Sequence, residues 1–275
     1  MTASLTGLGP EVGGSERARL VGVSLKMYFG YQETLDWCGR IGAIAAASPS
    51  VMNGQVRVFV LPAFPLLVPV IALLRGSPVA VGAQNLYWED RGAFTGEVSG
   101  GLLAELGCRY VAVGHAERRG LFGESDRDVA LKVEAAIRNG LCPIVCVGET
   151  GTETATLAAV ESTRQVETAL SRVARAGLQG PVVIAYEPRW AIGRDRPAPD
   201  GHIIEVCSAL LEFLERVRPG AQDAVIYGGS AGPGLLQRLG TAVDGLFLGR
   251  YAHDPAAFQA VVEEAGRVGR NQLGG

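Results

Sequence analysis

Short, continuous apolar runs recur along the chain, and each is followed by a longer stretch with apolar positions at helical spacing. The runs are Leu20–Leu25, Arg57–Leu61, Val79–Ala83, Tyr110–Gly114, Pro143–Val147, Val182–Tyr186, Val225–Tyr227 and Gly245–Leu248. Their apolar residues are consecutive, not alternating, as in parallel strands covered on both faces. Helical stretches are predicted at Thr34–Ala47, Pro65–Arg75, Gly101–Leu106, Asp126–Asn139, Thr152–Arg175, Gly201–Val217, Gly232–Leu239 and Pro255–Gly266. Eight strand–helix units in this order predict an α/β chain folded as a single-domain (β/α)8 barrel. An open, doubly wound sheet has the same periodicity and remains the alternative. No linker-like segment divides the chain. The domain is expected over residues 20–268, with a loose Gly/Ser-rich leader at 1–19 and a short tail at 269–275.

Composition narrows the function classes. At 275 residues and 48% apolar, the chain can bury one large core. No apolar run reaches membrane-spanning length, and the leader has no apolar centre of the signal-peptide kind, so a cytoplasmic protein is expected. A net charge of −3 without a basic stripe argues against nucleic acid as a partner. Cys38, Cys108, Cys142, Cys146 and Cys207 make an odd set in a long chain, which favours reduced thiols. Cys142 and Cys146 lack partners at zinc spacing, so no metal is expected, and nothing calls for a cofactor. Of the 25 basic residues only Lys26 and Lys132 are lysines. Lys132 falls in a mixed-charge helical pattern and is expected to be solvated. Lys26 ends an apolar strand, where a compact ammonium differs from a planar guanidinium in what it can hold.

Chemistry-bearing residues gather where strands end: Lys26, Gln84-Asn85, His115, Glu149, Glu187, Gly228-Gly229-Ser230 and Gly249-Arg250. In a barrel these ends share the C-terminal face, where active sites are built. Glu187 follows the apolar run Val182–Tyr186 and precedes a Pro and a Gly-terminated loop. A carboxylate at the mouth of a dry strand, under a loop able to close, suits a general base; a strand-end Glu in a salt bridge would look the same in isolation. His115 opens a short polar turn or helix, whose free N–H groups disfavour a positive imidazole. Neutral, it could serve as a hydrogen-bond electrophile. Glu117 and Arg118 are expected to pair with each other in support. The turns at Gly228-Gly229-Ser230 and Gly249-Arg250 leave backbone N–H groups free to cradle a phosphate.

Taken together, these motifs resemble the triosephosphate isomerase family from about Leu20 to Gly266. They are Gly82-Ala83-Gln84-Asn85, Gly92-Ala93-Phe94-Thr95-Gly96-Glu97, Val113-Gly114-His115 with Glu117-Arg118-Arg119, Cys146-Val147-Gly148-Glu149, Ala185-Tyr186-Glu187-Pro188 with Trp190-Ala191-Ile192-Gly193, and Tyr227-Gly228-Gly229-Ser230. The resemblance implies a TIM barrel and an isomerase of small phosphorylated sugars. It implies that Glu187 moves a proton between adjacent carbons, that His115 polarises the carbonyl and shuttles protons among enediol oxygens, and that Lys26 meets the substrate's negative charge. Arg189–Arg194 would form a lid. Gly193, Ser230, Gly249 and Arg250 would supply phosphate N–H groups, with Cys146 in support. Thr95, in the Gly92–Glu97 loop, would reach into a second subunit, which implies a homodimer.

The chain departs from the family pattern at several points. Ser24 stands where the family has Asn, Ala116 where it has Ser, and Gly249-Arg250 where it has Gly-Gly; the lid ends Arg194-Asp195-Arg196 instead of on a small hinge. Ser24 and Ala116 both remove bulk and would admit a substrate longer by one hydroxymethyl group. That pattern resembles a branch of the family interconverting L-erythrulose 1-phosphate and D-erythrulose 4-phosphate in erythritol catabolism. A triose phosphate substrate, an inactive sugar-phosphate-binding barrel and a Schiff-base aldolase using Lys26 are the alternatives.

Overall fold

The structure, a computed structural model, describes residues 17–194 and 196–270. Eight parallel strands close on themselves in chain order. They are β1 (Arg19–Ser24), β2 (Val56–Leu61), β3 (Val79–Ala83), β4 (Tyr110–Val113), β5 (Cys142–Val147), β6 (Val183–Tyr186), β7 (Ala224–Tyr227) and β8 (Gly245–Leu248). The pairing of β1 with β8, Leu20 opposite Gly245 and Val23 opposite Leu248, completes the ring. That closure excludes the open sheet. β1 starts at Arg19, one residue inside the expected leader; residues 1–16 of that leader and 271–275 of the expected tail lie outside the described residues.

The helices are α1 (Tyr31–Ala47), α2 (Pro49–Met52), α3 (Leu67–Leu73), α4 (Gly100–Leu106), α5 (Ala116–Phe122), α6 (Asp126–Arg138), α7 (Ala155–Arg175), α8 (Asp200–Val217), α9 (Leu235–Leu239) and α10 (Pro255–Arg270). Local chemistry sets several boundaries. Thr154 caps α7, its hydroxyl accepting from Leu157 N–H, so α7 begins after the expected Thr152. Gly234 has φ +87° immediately before α9, which prevents the expected start at Gly232. Pro49 sits at the first position of α2, a four-residue turn too short to give a periodic signal.

Two apolar layers hold the barrel. Outward-facing strand residues such as Val21, Val60, Val145 and Ile184 pack under the helices. A smaller inner cluster, including Leu20, Phe59, Leu61, Ile144, Ala185 and Phe247, fills the barrel. The Phe59 ring leaves room only for glycine at position 22, where a Cβ would lie 1.9 Å from the ring.

Lys132 is the main departure from the expectation above. It is buried, 4% exposed, not solvated. Its ammonium donates to Asn85 Oδ1 at 2.9 Å and lies 2.9 Å from Glu124 Oε1, an ion pair without hydrogen-bond geometry. A helical charge pattern cannot show this, because both partners come from loops elsewhere in the chain.

Candidate active site

The strand ends converge as expected. Ser24, Lys26, His115, Glu187, Gly193, Ser230, Gly249 and Arg250 all line one cavity of about 600 Å³ at the C-terminal face.

Lys26 follows β1 with φ +47°, the only positive φ at a non-glycine among the described residues. That conformation is costly and persists only where neighbours enforce it. Gln84 does so, its side-chain amide donating to the carbonyls of Lys26 and Leu61, each at 2.9 Å. The Lys26 ammonium meets Glu117 Oε1 at 2.7 Å. The expected pairing of Glu117 with Arg118 is therefore not formed. Arg118 instead donates to Glu124 Oε2 at 3.0 Å. Glu117 serves Lys26, and Arg118 joins the buried Glu124–Lys132 cluster behind the site.

His115 caps α5. Its Nδ1 accepts the backbone N–H of Glu117 at 3.2 Å. An Nδ1 that accepts carries no proton, so this geometry assigns the neutral imidazole with its hydrogen on Nε2. Nε2 points at Glu187, with Oε2 3.7 Å away.

Glu187 is 2% exposed, and its Oε2 has no hydrogen-bond partner. Its backbone N–H donates to Val147 O at 2.7 Å, which continues the β5–β6 ladder past the end of β6. The glycine at 228 lets the carboxylate sit where it does: a Cβ there would lie 2.7 Å from Glu187 Cγ and 2.9 Å from Oε1. Beneath it, burial and then the Glu187 charge push the Cys146 thiol well above its ordinary range. Cys146 is thus a neutral neighbour, not a nucleophile. All five cysteines are free, and no group of three or more His, Cys, Asp or Glu among the described residues is placed to hold a metal ion.

Ser24 faces the cavity, but Ala116 does not. Ala116 lines a separate space of about 10 Å³ behind Glu187, bordered by Gln165 and Arg189. Only one of the two reduced side chains therefore enlarges the substrate cavity.

The segment after Glu187 folds over the cavity. Its one-turn helix, Arg189–Ala191, leads to Gly193 with φ +70°. At the near end Trp190 Nε1 donates to Glu149 Oε1 at 2.7 Å. Glu149 also accepts from the Tyr186 hydroxyl at 3.1 Å, and that hydroxyl lies 2.9 Å from His202 Nε2. Burial, reinforced by the Glu149 charge, pushes the Tyr186 phenol far above its usual range, so it stays a donor. At the far end Ala198 N–H donates to the Tyr227 hydroxyl at 3.1 Å. Ser230 Oγ lies 2.6 Å from Arg194 O and 3.1 Å from Ala191 O. Asp195 lies outside the described residues. The cluster of Glu149, Trp190, Tyr186 and His202 leaves no mark in the sequence as a group. Glu149 and Trp190 stand in the motifs, but only the fold brings His202 to them.

In the β7 turn the N–H of Gly228 is not free as expected: it donates to Tyr186 O at 2.8 Å. Arg250 opens a one-turn helix, Arg250–His253, without a positive φ, so arginine fits there unstrained. Gly249, with φ −107°, has open space for 4 Å around the point where a side chain would begin. Burial and then the Arg250 charge hold the His253 imidazole below its ordinary value.

The triosephosphate isomerase family model matches residues 19–265, a span that takes in every strand end above. The chain belongs to the triosephosphate isomerase family. It is, accordingly, a sugar-phosphate isomerase. The L-erythrulose-1-phosphate isomerase of Pectobacterium atrosepticum is 56% identical over 251 residues, covering 91% of this chain and 97% of that protein. The triosephosphate isomerase of Moorella thermoacetica is 40% identical over 225 residues, covering 78% and 88%. The crystal structure of the Bartonella henselae triosephosphate isomerase superposes with a TM-score of 0.76 at 28% identity, covering 90% of this chain and 99% of that one. Among the described residues, no helix is long and apolar enough to cross a membrane.

Proposed function

We propose that this member of the family interconverts L-erythrulose 1-phosphate and D-erythrulose 4-phosphate. The observation that carries the chemistry is the unpartnered Glu187 Oε2 lying 3.7 Å from His115 Nε2, while His115 Nδ1 accepts the Glu117 N–H, at the floor of a lid-covered cavity. Glu187 removes the C3 proton of the 2-ketose, and the electron pair moves to the carbonyl to give a 2,3-enediolate. Glu187 returns the proton to C2, leaving the carbonyl at C3. His115 donates to the developing oxyanion at O2 and takes the O3 proton, so hydrogen count and charge balance over the cycle. The Lys26 ammonium stabilises the negative charge. Gly193, Ser230, Gly249 and Arg250 offer backbone N–H groups to the phosphate.

The tetrulose reading is supported by the 56% identity to an L-erythrulose-1-phosphate isomerase against 40% to a triosephosphate isomerase, and by Ser24 at the cavity wall. The aldolase alternative is weakened by the 2.7 Å Lys26–Glu117 ion pair, since a Schiff base needs the free amine. The inactive-barrel alternative is weakened by the assembly of Glu187, His115 and Lys26 around one cavity.

A homodimer is part of the same proposal. The loop of residues 91–97 is exposed throughout, and Phe94 at its tip packs on Tyr87. Met27, beside Lys26, is 94% exposed, an apolar side chain suited to cover by a partner loop. The substrate assignment is tested by comparing kcat/KM on L-erythrulose 1-phosphate, D-erythrulose 4-phosphate, dihydroxyacetone phosphate and glyceraldehyde 3-phosphate. A preference for the trioses by orders of magnitude would refute it.

A further inference from the structure

Arg250 replaces the second glycine of the family's last phosphate turn, and its side chain does something that no glycine can. Nη2 donates to Gly193 O at 3.0 Å, from the β8 turn to the apex of the lid, 57 positions away in sequence. The carbonyls of Ala191, Gly193 and Arg194 all accept from the β7 and β8 turns. Ser230 is within reach of two of them but carries a single hydroxyl proton, so it satisfies one at a time. Arg250 is the donor for the third. Arginine suits this place because its charge is permanent and its fork spans a gap that a backbone N–H cannot.

We infer that the Arg250 side chain is a latch that raises the closed population of the lid before substrate arrives. It is a positioning residue, acting through the lid and not on the reacting atoms. Gly193 and Arg250 both belong to the proposed phosphate cradle, so the latch also ties the two halves of that cradle together. A ligand that binds only the closed form is weakened in proportion to the closed fraction lost. Removing the latch therefore weakens every phosphorylated ligand by one common factor. The exposed position of Arg250 keeps this factor modest, roughly five- to tenfold.

The latch rests on the sugar-phosphate reading of the cavity only in its kinetic arm. The test labels the full chain with 5-fluorotryptophan and follows the Trp190 resonance, assigned with W190F, in the ligand-free protein. Wild type should show mainly one closed resonance. Arg250→Met should populate a second, open resonance, which inorganic phosphate then depletes. Its inhibition constant for phosphate and its KM should rise together, by the same factor. Arg250→Lys, with charge but no fork, should fall between the two. Unchanged Trp190 populations in Arg250→Met would overturn the latch. That holds even if phosphate binding weakens, because the side chain would then act only as a local charge, and Arg250→Lys would match wild type. If the populations shift while no tetrulose phosphate is turned over, the latch stands and the substrate assignment fails.

Discussion

His115 Nε2 and Glu187 Oε2 face each other at 3.7 Å, too far for a hydrogen bond, with the carboxylate oxygen otherwise unpartnered. A buried carboxylate oxygen left free is costly unless a ligand completes it. The gap leaves both groups free to turn to a substrate lying beside them. Shortening the acid should break this arrangement. Glu187→Asp retracts the carboxylate by about 1 Å and should lower kcat on the order of 10²-fold with little change in ligand affinity. Steady-state kinetics with phosphate as competitive inhibitor would show both effects.

Gly228→Ala should act on the same carboxylate from behind. Its Cβ would lie within 2.9 Å of Oε1 and 2.7 Å of Cγ, so Glu187 must shift. A loss of kcat on the order of 10²-fold is expected at nearly unchanged melting temperature. Normal turnover in this variant would mean that the position of Glu187 is not critical.

Ser24 and Ala116 look equivalent in sequence, both smaller than the family residue. The structure separates them, since only Ser24 lines the substrate cavity. Ser24→Asn should move the preference from tetrulose towards triose phosphate by about 1–3 kcal/mol. Ala116→Ser should leave that preference alone. Relative kcat/KM values for the two substrates decide between them.

The buried Lys132 gives a stability prediction. Lys132→Met leaves Glu124, 3% exposed at its side chain, without its ammonium and Asn85 without its donor. Arg118 still donates to Glu124 Oε2, so the carboxylate keeps one cation and the expected cost is about 1–3 kcal/mol, that of buried groups left short of a partner. Denaturant titration of the variant should show that loss, and a loss below about 0.5 kcal/mol would mean the pair is solvated after all.

What is legible in the sequence follows from geometry. Strands buried on both faces read as apolar runs, so the barrel can be predicted, and the polar residue ending each run has to fall at the same face. Lys26, His115, Glu187 and the two glycine turns are found this way. Partners contributed from elsewhere in the chain leave no periodic trace. Hence Lys132 reads as a solvated residue, Arg118 reads as the partner of Glu117 instead of Glu124, and the Arg250–Gly193 contact is invisible. Ala116 misleads because sequence shows the size of a side chain but not the cavity it faces.

Proton transfer between C3 and C2 of a tetrulose phosphate through Glu187 is tested most directly by isomerising L-erythrulose 1-phosphate in D2O and reading the product by NMR. The expected product is D-erythrulose 4-phosphate with deuterium at the carbon that formerly carried the carbonyl, C3 in the product's numbering. Glu187→Ala should give neither product nor exchange. A product formed without Glu187, or no turnover of the tetrulose phosphate by the wild-type enzyme, would contradict it.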